Sequence, residues 1–377
     1  MRVCLSIHHF LDRSAGAPGA VLSLADGLQR CGVDATAVGF DILPKALQGR
    51  LATLAYPFWL AGWLWRRRRD FDVVDGSTGD LWVYGLLPRR RGQLLVTHTH
   101  GLEHVGHVRL MNDVQAGRAR VSWKYPYYRG GYRLFEVAKS LRCAELCLFL
   151  NEHEKQYAIA QLGIPADICH VVANGCSDVL LDAAPMLPKP EGALNIVQLG
   201  SYIARKGIKT AAAALEPFLR AYPDSRVTFL GASCPAQRVR ADYPADLQDR
   251  IDVVERFDRD ELMKLVSDKH VLLFPSLFEG APLALVEGMA CGLVPVASDI
   301  PGVRDVVTDG VDALTFPASD AEGCRVQLGR LADDRALLDR LGRGARRRAE
   351  AYRWKTIAQG RVELYRAYLV RRANGRR

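Results

Sequence analysis

Short apolar runs alternate with longer amphipathic stretches along the first half of the chain. Residues 3–7 and 34–38 have the composition of strands, and residues 21–30 between them have the apolar spacing of a helix. Further strands are predicted around Val73, Val96, Leu148 and Val172. Strands that alternate with helices in this way predict a parallel sheet covered by helices on both faces.

The same alternation starts again after residue 193. Its predicted strands are NIVQLG, RVTFLGA, IDVVERF, HVLLFPS, LVPVAS and DALTFP, and the tail beyond them is helical and basic in composition. Residues 183–193 are rich in proline and have no apolar period, so they are predicted to be a linker. The fold class is therefore α/β, with two doubly wound, Rossmann-like domains at 1–182 and 194–350 and a C-terminal helical segment at 351–377.

Composition and charge narrow the range of partners. The chain has 377 residues, which is enough for two domains, and its 49% hydrophobic and 25% charged residues are the balance of a globular protein. A formal net charge of +9 favours anionic partners, namely nucleic acid, an acidic membrane surface or phosphorylated substrates. No nucleic-acid recognition module is present, so we expect no nucleic-acid partner.

The nine cysteines are scattered and contain no CxxC pair. Cys143 and Cys147 lie one helical turn apart among apolar residues, which favours buried free thiols in a reducing compartment over a metal or disulfide role. The first residues, MRVCLSIHHF, have the pattern of a strand and lack the apolar core of a signal peptide. These features predict a cytoplasmic protein, with peripheral association at the inner face of the cell membrane as a further expectation.

A pair of glutamates is the most informative chemistry in the second half. Glu279 follows the predicted strand 271–274, and Glu287 lies eight positions later on the second turn of the next helix. Both side chains can then face one ligand beyond the strand ends. A diphosphate would repel them, so we expect the two carboxylates to contact hydroxyl groups of a sugar and a ribose.

The residues between the two glutamates form a helix start suited to phosphate. Gly280, Ala281, Pro282 and Leu283 follow Glu279 directly. Proline suits a first helical turn because its missing N–H would have no partner there, and Gly280 lets a ligand approach the backbone. The backbone N–H groups of this turn are predicted to bind phosphate.

The region from PSLFEG through EGAPLALVEGMACG and LVPVAS to PGVRDVVTDGVDALTF resembles glycosyltransferase family 4. The resemblance implies the GT-B fold, in which two Rossmann-like domains face a cleft and the last helix crosses back to the first domain. It implies transfer of a sugar from a nucleotide diphosphate sugar with retention of the anomeric configuration, and no metal or other cofactor. By resemblance, Glu279 contacts the donor sugar and Glu287 binds the ribose.

The stretch LGSYIARKG brings two cations to the end of another strand. The family has a lysine at the position of Lys206 and an arginine directly after the glycine, where this chain has Ser201. Fixed cations at a strand end can neutralise a departing diphosphate, and this role is predicted for Lys206. Arg205 either supplies the missing arginine charge or is a solvated loop residue, and the sequence leaves both open.

The first predicted helix follows a loop, SAGAPGA, that is rich in glycine. By resemblance, the backbone at Gly16 and Gly19 faces the diphosphate and the acceptor. The family also carries a histidine at the end of the predicted strand around Val96, near the donor sugar. His100, which precedes a glycine, fits that role, and Glu103 is a candidate for binding the acceptor.

Two further elements of the resemblance are structural. VVANGCSD resembles the asparagine-glycine turn that closes the first domain, and it is either a plain turn or a ligand contact. RWKTIAQGRVELYRAYL resembles the family's last helix, with Trp354 as its packing anchor. A metal site at His98, His100, His104 and His107 is a weak alternative, because their spacing matches no common zinc pattern.

Two aromatic and basic stretches are candidates for contact with a membrane. Residues 51–69 are apolar and tryptophan-rich and end in four arginines, but they are too short and contain a proline, so no spanning helix is predicted. They form either an interfacial helix or a core helix of the first domain. Residues 123–133, WKYPYYRGGYR, either contact lipid head groups or a glycan or form an irregular surface loop.

The function that the sequence favours is that of a hexosyltransferase acting on a glycan or lipid-linked acceptor in cell-surface polysaccharide or glycolipid biosynthesis. A dinucleotide-dependent oxidoreductase shares the domain type, but the GxGxxG fingerprint is absent after both first strands. A catalytically inactive subunit of an assembly complex is a second alternative.

Overall fold

The computed structural model describes residues 1–13, 15–117, 119–182, 192–258 and 261–374 of the chain. Backbone contacts divide the protein into a first unit, residues 1–175 with 354–377, and a second unit, residues 176–353. The domain boundaries predicted at 182 and 350 lie a few residues from these divisions. The predicted linker at 183–193 lies outside the described residues except for its last two positions.

The first unit is built on one parallel sheet. Its strands are β1 (Arg2–Ser6), β2 (Asp34–Val38), β3 (Val73–Ser77), β4 (Leu94–His98), β5 (Leu146–Phe149) and β6 (Cys169–Val171). They lie in the order β2-β1-β3-β4-β5-β6. Strands β3 and β4 are buried along their whole length, as a parallel sheet covered on both faces requires.

The helices of the first unit connect these strands and cover the sheet. They are α1 (Gly16–Arg30), α2 (Ala52–Arg66), α3 (Glu103–Gln115), α4 (Arg133–Cys143), α5 (Glu152–Leu162) and the last helix of the chain, α14 (Trp354–Asn374). Helix α1 begins five residues before the predicted position of its start. Ala17 and Pro18 are both compatible with a first helical turn, so the helix includes Gly16 and Gly19 as well.

The second unit repeats the same architecture. Its strands are β7 (Asn195–Leu199), β8 (Arg226–Leu230), β9 (Ile251–Val254), β10 (Val271–Phe274), β11 (Val294–Asp299) and β12 (Leu314–Pro317), in the order β12-β11-β10-β7-β8-β9. Its helices are α6 (Asp178–Asp182), α7 (Ile208–Ala221), α8 (Ala236–Arg240), α9 (Leu262–Leu265), α10 (Leu283–Ala290), α11 (Pro301–Arg304), α12 (Ala321–Asp333) and α13 (Arg335–Ala349).

The strand orders define where each sheet can bind a ligand. In the first sheet β1 lies between β2 and β3, and in the second β7 lies between β8 and β10. The chain therefore reverses its direction of progress across the sheet at β1 and at β7. In doubly wound proteins ligands bind beyond the carboxyl ends of the strands at such points. The loops after β7 and β10 are the ones that carry the predicted glutamate and lysine.

Helix α14 belongs to the core of the first unit. Trp354 and Tyr365 are buried in the cluster that also holds residues of α1 and the central strands. At the crossing with α1, a Cβ on Gly27 would lie 3.0 Å from the Cβ of Ala358, so the two helices approach as closely as a glycine allows. The return of the last helix to the first domain, with Trp354 as a packing residue, is confirmed.

Helix α2 has apolar side chains on both faces. Tyr56 and Leu60 are fully buried in the core, whereas Leu54, Phe58 and Trp65 are 40%, 53% and 43% exposed. The core interpretation of this stretch therefore holds for one face only. Among the described residues, no helix has the length and apolar composition needed to cross a membrane.

The cysteines are free, as expected. Cys147 is buried in β5, and burial raises the pKa of its thiol well above the ordinary value. A thiol held in the protonated state is a poor nucleophile and a poor metal ligand. Cys143 is half-buried at the end of α4.

Gly175, at the end of the first unit, leaves room for the ring of Trp354. An added Cβ there would lie 2.4 Å from the indole, so we expect Gly175→Ala to destabilise the first unit by about 1–3 kcal/mol. The measurement is urea unfolding followed by tryptophan fluorescence, because all six tryptophans lie in that unit. Gly360→Ala on α14, where a Cβ meets nothing within 4 Å, is the matched control and should not destabilise. Equal stability of the two variants would contradict the packing argument.

Candidate functional site

In the second unit, an ion pair joins the loops that follow β7 and β10. The Nζ atom of Lys206 lies 2.7 Å from Oε1 of Glu279. Both side chains are largely covered, with 14% of Lys206 and 7% of Glu279 exposed. Strands β7 and β10 are neighbours, so their carboxyl ends bring these two loops together. The pair therefore lies at the point where ligands of this fold class bind.

Two more side chains complete the surroundings of this carboxylate. Nη1 of Arg205 lies 3.0 Å from Oε2 of Glu279 and also donates to the carbonyl of Phe278 at 3.0 Å. The hydroxyl of Ser276 donates to Oε1 of Glu279 at 2.8 Å. One carboxylate thus faces two cations, and the group carries a net positive charge. Such a group suits an anionic ligand.

The backbone of the two loops fixes this arrangement. A 3-10 turn at Ala204–Lys206 ends at Gly207, which has a φ of +70°. A Cβ on Gly207 would lie 1.8 Å from the carbonyl oxygen of Pro275, so only glycine fits there. The N–H of Leu277 donates to the carbonyl of Arg205 at 2.8 Å, which ties the second loop to the first. The cations and the carboxylate are held by backbone contacts as well as by their own charges.

The predicted helix start after Glu279 needs one correction. Helix α10 begins at Leu283, and Pro282 is the residue before it, with φ −81° and ψ 71°, rather than a member of the first turn. Proline is compatible with both positions, because neither uses its missing N–H. Gly280 and Ala281 are half-buried in the loop between Glu279 and this helix.

Glu287 lies on the second turn of α10, as predicted, and is half-buried. Burial, and secondarily the charge of Glu287, raises the pKa of the Cys176 thiol. Ser201, at the usual position of the family arginine, is half-buried and its hydroxyl lies 3.2 Å from that of Ser233. The structure therefore brings Arg205 and Lys206 to Glu279, and it places Ser201 against the loop after β8.

In the first unit, His100 lies beyond the end of β4, beside a row of buried polar side chains. Its Nε2 is 3.1 Å from Nε2 of His98 and 3.1 Å from the hydroxyl of Ser77. Nδ1 of His98 is 2.5 Å from Oδ1 of Asp75, which is fully buried in β3. On the other carboxylate oxygen, Asp75 binds Arg361 of α14 at 2.8 Å.

Burial and neighbouring groups together set the protonation states of Asp75 and His100. Burial alone would raise the pKa of Asp75, but electrostatic interactions with His98 and Arg361 and hydrogen bonds from His98 and Tyr365 outweigh it and hold that pKa well below its usual range. Burial, followed by the neighbouring His98, lowers the pKa of His100 well below its ordinary value. At neutral pH Asp75 is therefore a carboxylate and His100 a neutral imidazole.

Glu103, the predicted acceptor-binding residue, is held from one side. Arg133 donates to its Oε1 at 2.8 Å and the hydroxyl of Thr78 donates to the same atom at 3.0 Å. Arg133 also donates to Nε2 of His8 at 3.2 Å, while Nδ1 of His8 lies 2.8 Å from Oδ1 of Asp80. Because arginine can only donate, His8 must carry its proton on Nδ1.

The metal alternative finds no support in the geometry. Among the residues that the structure describes, no group of three or more His, Cys, Asp or Glu side chains is arranged to hold a metal ion. His98 contacts Asp75, and Nδ1 of His107 lies 3.0 Å from the hydroxyl of Tyr125.

The glycines after β1 also need a correction. Gly16 is the first residue of α1 and Gly19 lies in its first turn, so neither is in a loop. A Cβ on Gly19 would lie 2.6 Å from the carbonyl oxygen of Arg13, which explains this glycine by a close backbone approach. Contact of either glycine with a ligand stays a prediction.

Comparison with known families decides the identity of the chain. Residues 183–348 match the glycosyl transferases group 1 family, and residues 13–175 match the glycosyl transferase 4-like domain. The chain belongs to the family 4-like glycosyltransferases. The dinucleotide-dependent oxidoreductase alternative is therefore wrong.

Two relatives show the range of the family. The glycosyltransferase is 28% identical over 317 residues to the MMP α-(1→4)-mannosyltransferase of Mycolicibacterium hassiacum, covering 81% of this chain and 72% of the relative. It is 24% identical over 252 residues to one subunit of the phosphatidylinositol N-acetylglucosaminyltransferase of Arabidopsis thaliana. That alignment covers 63% of this chain but only 56% of the relative's length.

Solved structures confirm the predicted GT-B fold. The sucrose-phosphate synthase of Thermosynechococcus elongatus superimposes with a TM-score of 0.75 at 20% identity, covering 98% of this chain and 99% of the other. A protein of Anabaena crystallised with UDP and glucose superimposes with a TM-score of 0.67 at 16% identity, covering 97% and 99%. At these identities the likeness concerns the fold alone.

The contacts of several polar residues in this glycosyltransferase were not predicted from the sequence. Ser276 lies three residues before Glu279 in the PSLFEG motif, so the sequence itself indicates a hydroxyl close to that glutamate. Arg361 and Tyr365 are spaced to share one face of α14, which hints at a common partner. Nothing in the sequence identified that partner as Asp75, which lies 286 residues away from Arg361.

The lowered pKa of His100 predicts a pH dependence of stability. An unfolded histidine has a pKa of about 6.5, so stability from the neutral folded imidazole is present above that pH and is lost as the pH falls. Between pH 7.5 and 5.5 the wild type should lose about 1 kcal/mol more than His100→Gln. Urea unfolding followed by tryptophan fluorescence reports this unit, and other titrating groups cancel in the difference. Parallel pH profiles for the two proteins would contradict the assignment.

Proposed function

We propose that this glycosyltransferase moves a hexose from a nucleotide diphosphate sugar to a glycan or lipid-linked acceptor, in cell-surface polysaccharide or glycolipid biosynthesis. The observation that carries the proposal is the carboxylate of Glu279 held between Lys206 and Arg205 at the reversal point of the second sheet. Parallel sheets with this strand order bind nucleotides at that place. The Anabaena structure with UDP and glucose supports a nucleotide sugar as donor.

The cations of the site fit a diphosphate. In the proposal Lys206 and Arg205 stabilise the negative charge that grows on the diphosphate as it leaves, together with the start of α10. Arg205 is 47% exposed, so it can turn towards a ligand, whereas Lys206 is fixed against Glu279. These side chains supply the charge that a metal ion supplies in other transferases, and the proposal includes no bound metal or other cofactor.

Glu279 is better suited to hold a sugar than to attack it. A carboxylate accepts about four hydrogen bonds, and three donors already contact this one. Its charge is neutralised by two cations, which makes it a weak nucleophile. We therefore assign Glu279 to a hydroxyl of the donor sugar and Glu287 to the ribose. Transfer then proceeds with retention by attack on the front face, and the departing phosphate takes the acceptor proton.

The acceptor is assigned to the first unit. Glu103 follows β4, where the first sheet exposes its strand ends, and Arg133 fixes it. His100, three residues earlier, is assigned to the donor sugar. One relative is named as an α-(1→4)-mannosyltransferase and the other as part of a phosphatidylinositol N-acetylglucosaminyltransferase. The second name contains a lipid, phosphatidylinositol, which agrees with an acceptor attached to a lipid.

Peripheral contact with an anionic membrane is the third part of the proposal. Phe58 packs edge-on against Trp82 with ring centroids 5.4 Å apart, and Trp82 in turn against Phe135 at 5.6 Å. Phe58 and Phe135 are 53% and 51% exposed, so this aromatic row faces outward. The arginines at 66–69 follow on the same helix and the residues after it, and they complement anionic lipid head groups.

The donor assignment is tested by thermal shift and turnover with UDP-glucose, UDP-N-acetylglucosamine, GDP-mannose and ADP-glucose. At least one of them should raise the melting temperature of the second unit and release its nucleotide. Glu279→Gln and Lys206→Met should each lower turnover by roughly 100-fold or more. An α-linked product from the α-linked donor, read by NMR, would show retention.

Matched controls separate the site from general effects of charge. Glu322→Gln removes an exposed glutamate of helix α12 that pairs with Arg325, and Lys209→Met removes an exposed lysine in the first turn of α7. Both should leave turnover unchanged. If no donor binds, or if Glu279→Gln turns over normally, the proposed function is wrong. Binding without turnover by the wild type would favour the alternative of a catalytically inactive subunit.

Membrane contact is tested by co-sedimentation with phosphatidylglycerol and phosphatidylcholine vesicles at low salt. Binding should require the anionic lipid, weaken with salt, and fall several-fold in Phe58→Ser combined with Trp65→Ser, because both side chains would lose apolar burial in the lipid interface. Val326→Ser, an exposed apolar residue of the second unit, is the control and should bind like the wild type. Equal binding to neutral vesicles, or none at all, would refute this part.

A further inference from the structure

Three side chains of the first unit form a line of contacts from the sheet interior to the end of β4. Asp75 Oδ1 is 2.5 Å from His98 Nδ1, and His98 Nε2 is 3.1 Å from His100 Nε2. Asp75 and His98 are 0% and 3% exposed. Water is therefore excluded from the first contact, and the protein alone decides where the protons lie.

The inner end of this line is already neutralised. Arg361 Nη1 donates to Oδ2 of Asp75 at 2.8 Å, and the hydroxyl of Tyr365 donates to the same oxygen. Both residues come from α14, and both are buried. One carboxylate and one guanidinium balance each other, so a neutral His98 leaves this buried group without net charge, which costs the least in a dry interior.

The position of each proton follows from the contacts. Asp75 accepts from His98, so His98 carries its proton on Nδ1 and has a lone pair on Nε2. Two lone pairs cannot face each other at 3.1 Å, so His100 must carry its proton on Nε2. Ser77 agrees with this assignment, because its hydroxyl donates to the carbonyl of Ser6 at 2.9 Å and can accept from His100.

The remaining nitrogen of His100 is therefore a hydrogen-bond acceptor. Its Nδ1 is covered and has no hydrogen-bond partner among the described residues of the chain. A buried lone pair of this kind is matched by a donor such as a hydroxyl, and it is mismatched by the acceptor oxygens of a phosphate or a carbonyl group.

We propose that Asp75 and His98 are positioning residues that hold His100, which by resemblance lies near the donor sugar, as the neutral tautomer with its proton on Nε2 and its lone pair on Nδ1. This inference rests on the proposed function for the identity of the substrate. It also gives α14 a part in the reaction, since Arg361 and Tyr365 fix the carboxylate on which the line begins.

The tautomer of His100 can be read directly by NMR of the full chain labelled with ¹⁵N-histidine at pH 7.5. The His100 signals are assigned by their loss in His100→Gln. We expect a single neutral tautomer with the proton on Nε2 in the wild type. A proton on Nδ1, or on both nitrogens, would overturn the proposal, and this reading needs no substrate.

Variants test whether His98 is the cause. His98→Phe leaves Asp75 paired with Arg361 and Tyr365 but removes the lone pair that fixes the proton of His100. The hydroxyl of Ser77, 3.1 Å from Nε2 of His100, can then turn away from the carbonyl of Ser6 and donate to that nitrogen. The His100 signals should then report a mixture of tautomers. His170→Phe is the control, because it removes a histidine whose Nε2 lies 2.8 Å from the hydroxyl of Tyr368 on α14. It should leave the His100 signals unchanged. An unaltered His100 spectrum in His98→Phe would overturn the proposal.

Turnover separates this inference from the proposed function. With whichever of UDP-glucose, UDP-N-acetylglucosamine, GDP-mannose and ADP-glucose the wild type uses, His98→Phe should lower kcat by about 10- to 100-fold while the donor KM stays within a few-fold. His170→Phe should match the wild type. A normal kcat in His98→Phe would refute the positioning role even if the donor site is correct. If no donor is used but the wild-type spectrum is as expected, the proposed function fails and the proton assignment is supported.

Discussion

A buried carboxylate must be paired, and in this glycosyltransferase that constraint shapes the site of the second unit. Glu279 is 7% exposed, and a lone carboxylate at that depth would cost several kcal/mol. Lys206, Arg205 and Ser276 remove that cost, but only if the loops after β7 and β10 stay together. Gly207 makes this possible by its positive φ and its contact with Pro275. Charge pairing and backbone geometry therefore depend on each other.

The first unit meets the same constraint from much farther along the chain. Asp75 is buried in the middle of the sheet, and its cation comes from α14. The last helix is thus more than an apolar cover for α1, because removing it would leave a charge uncompensated in the sheet interior. This gives a physical reason for the chain to return to the first unit after the second is complete.

Local chemistry was predictable from the sequence, and distant pairing was not. Glu279 and Lys206 each follow a recognisable strand, and parallel strands expose their carboxyl ends together, so their meeting could be expected. The starts of α1 and α10 were misplaced because glycine and proline fit several positions at a helix start. The pairing of Asp75 with Arg361 had no local signal, since a separation of 286 residues carries no periodicity.

The position of Arg205 bears on which feature of the Glu279 site matters, its charge or the loop position that supplies the charge. The family places an arginine directly after the glycine that ends the first strand of the second domain, and this chain has a serine there. In the proposed function the charge comes instead from Arg205, four residues farther on, which lies 3.0 Å from the carboxylate of Glu279. A short 3-10 turn allows this, because it brings Arg205 and Lys206 to the same glutamate. In that proposal the site requires positive charge beside Glu279, and Arg205 supplies it from a loop position other than that of the family arginine.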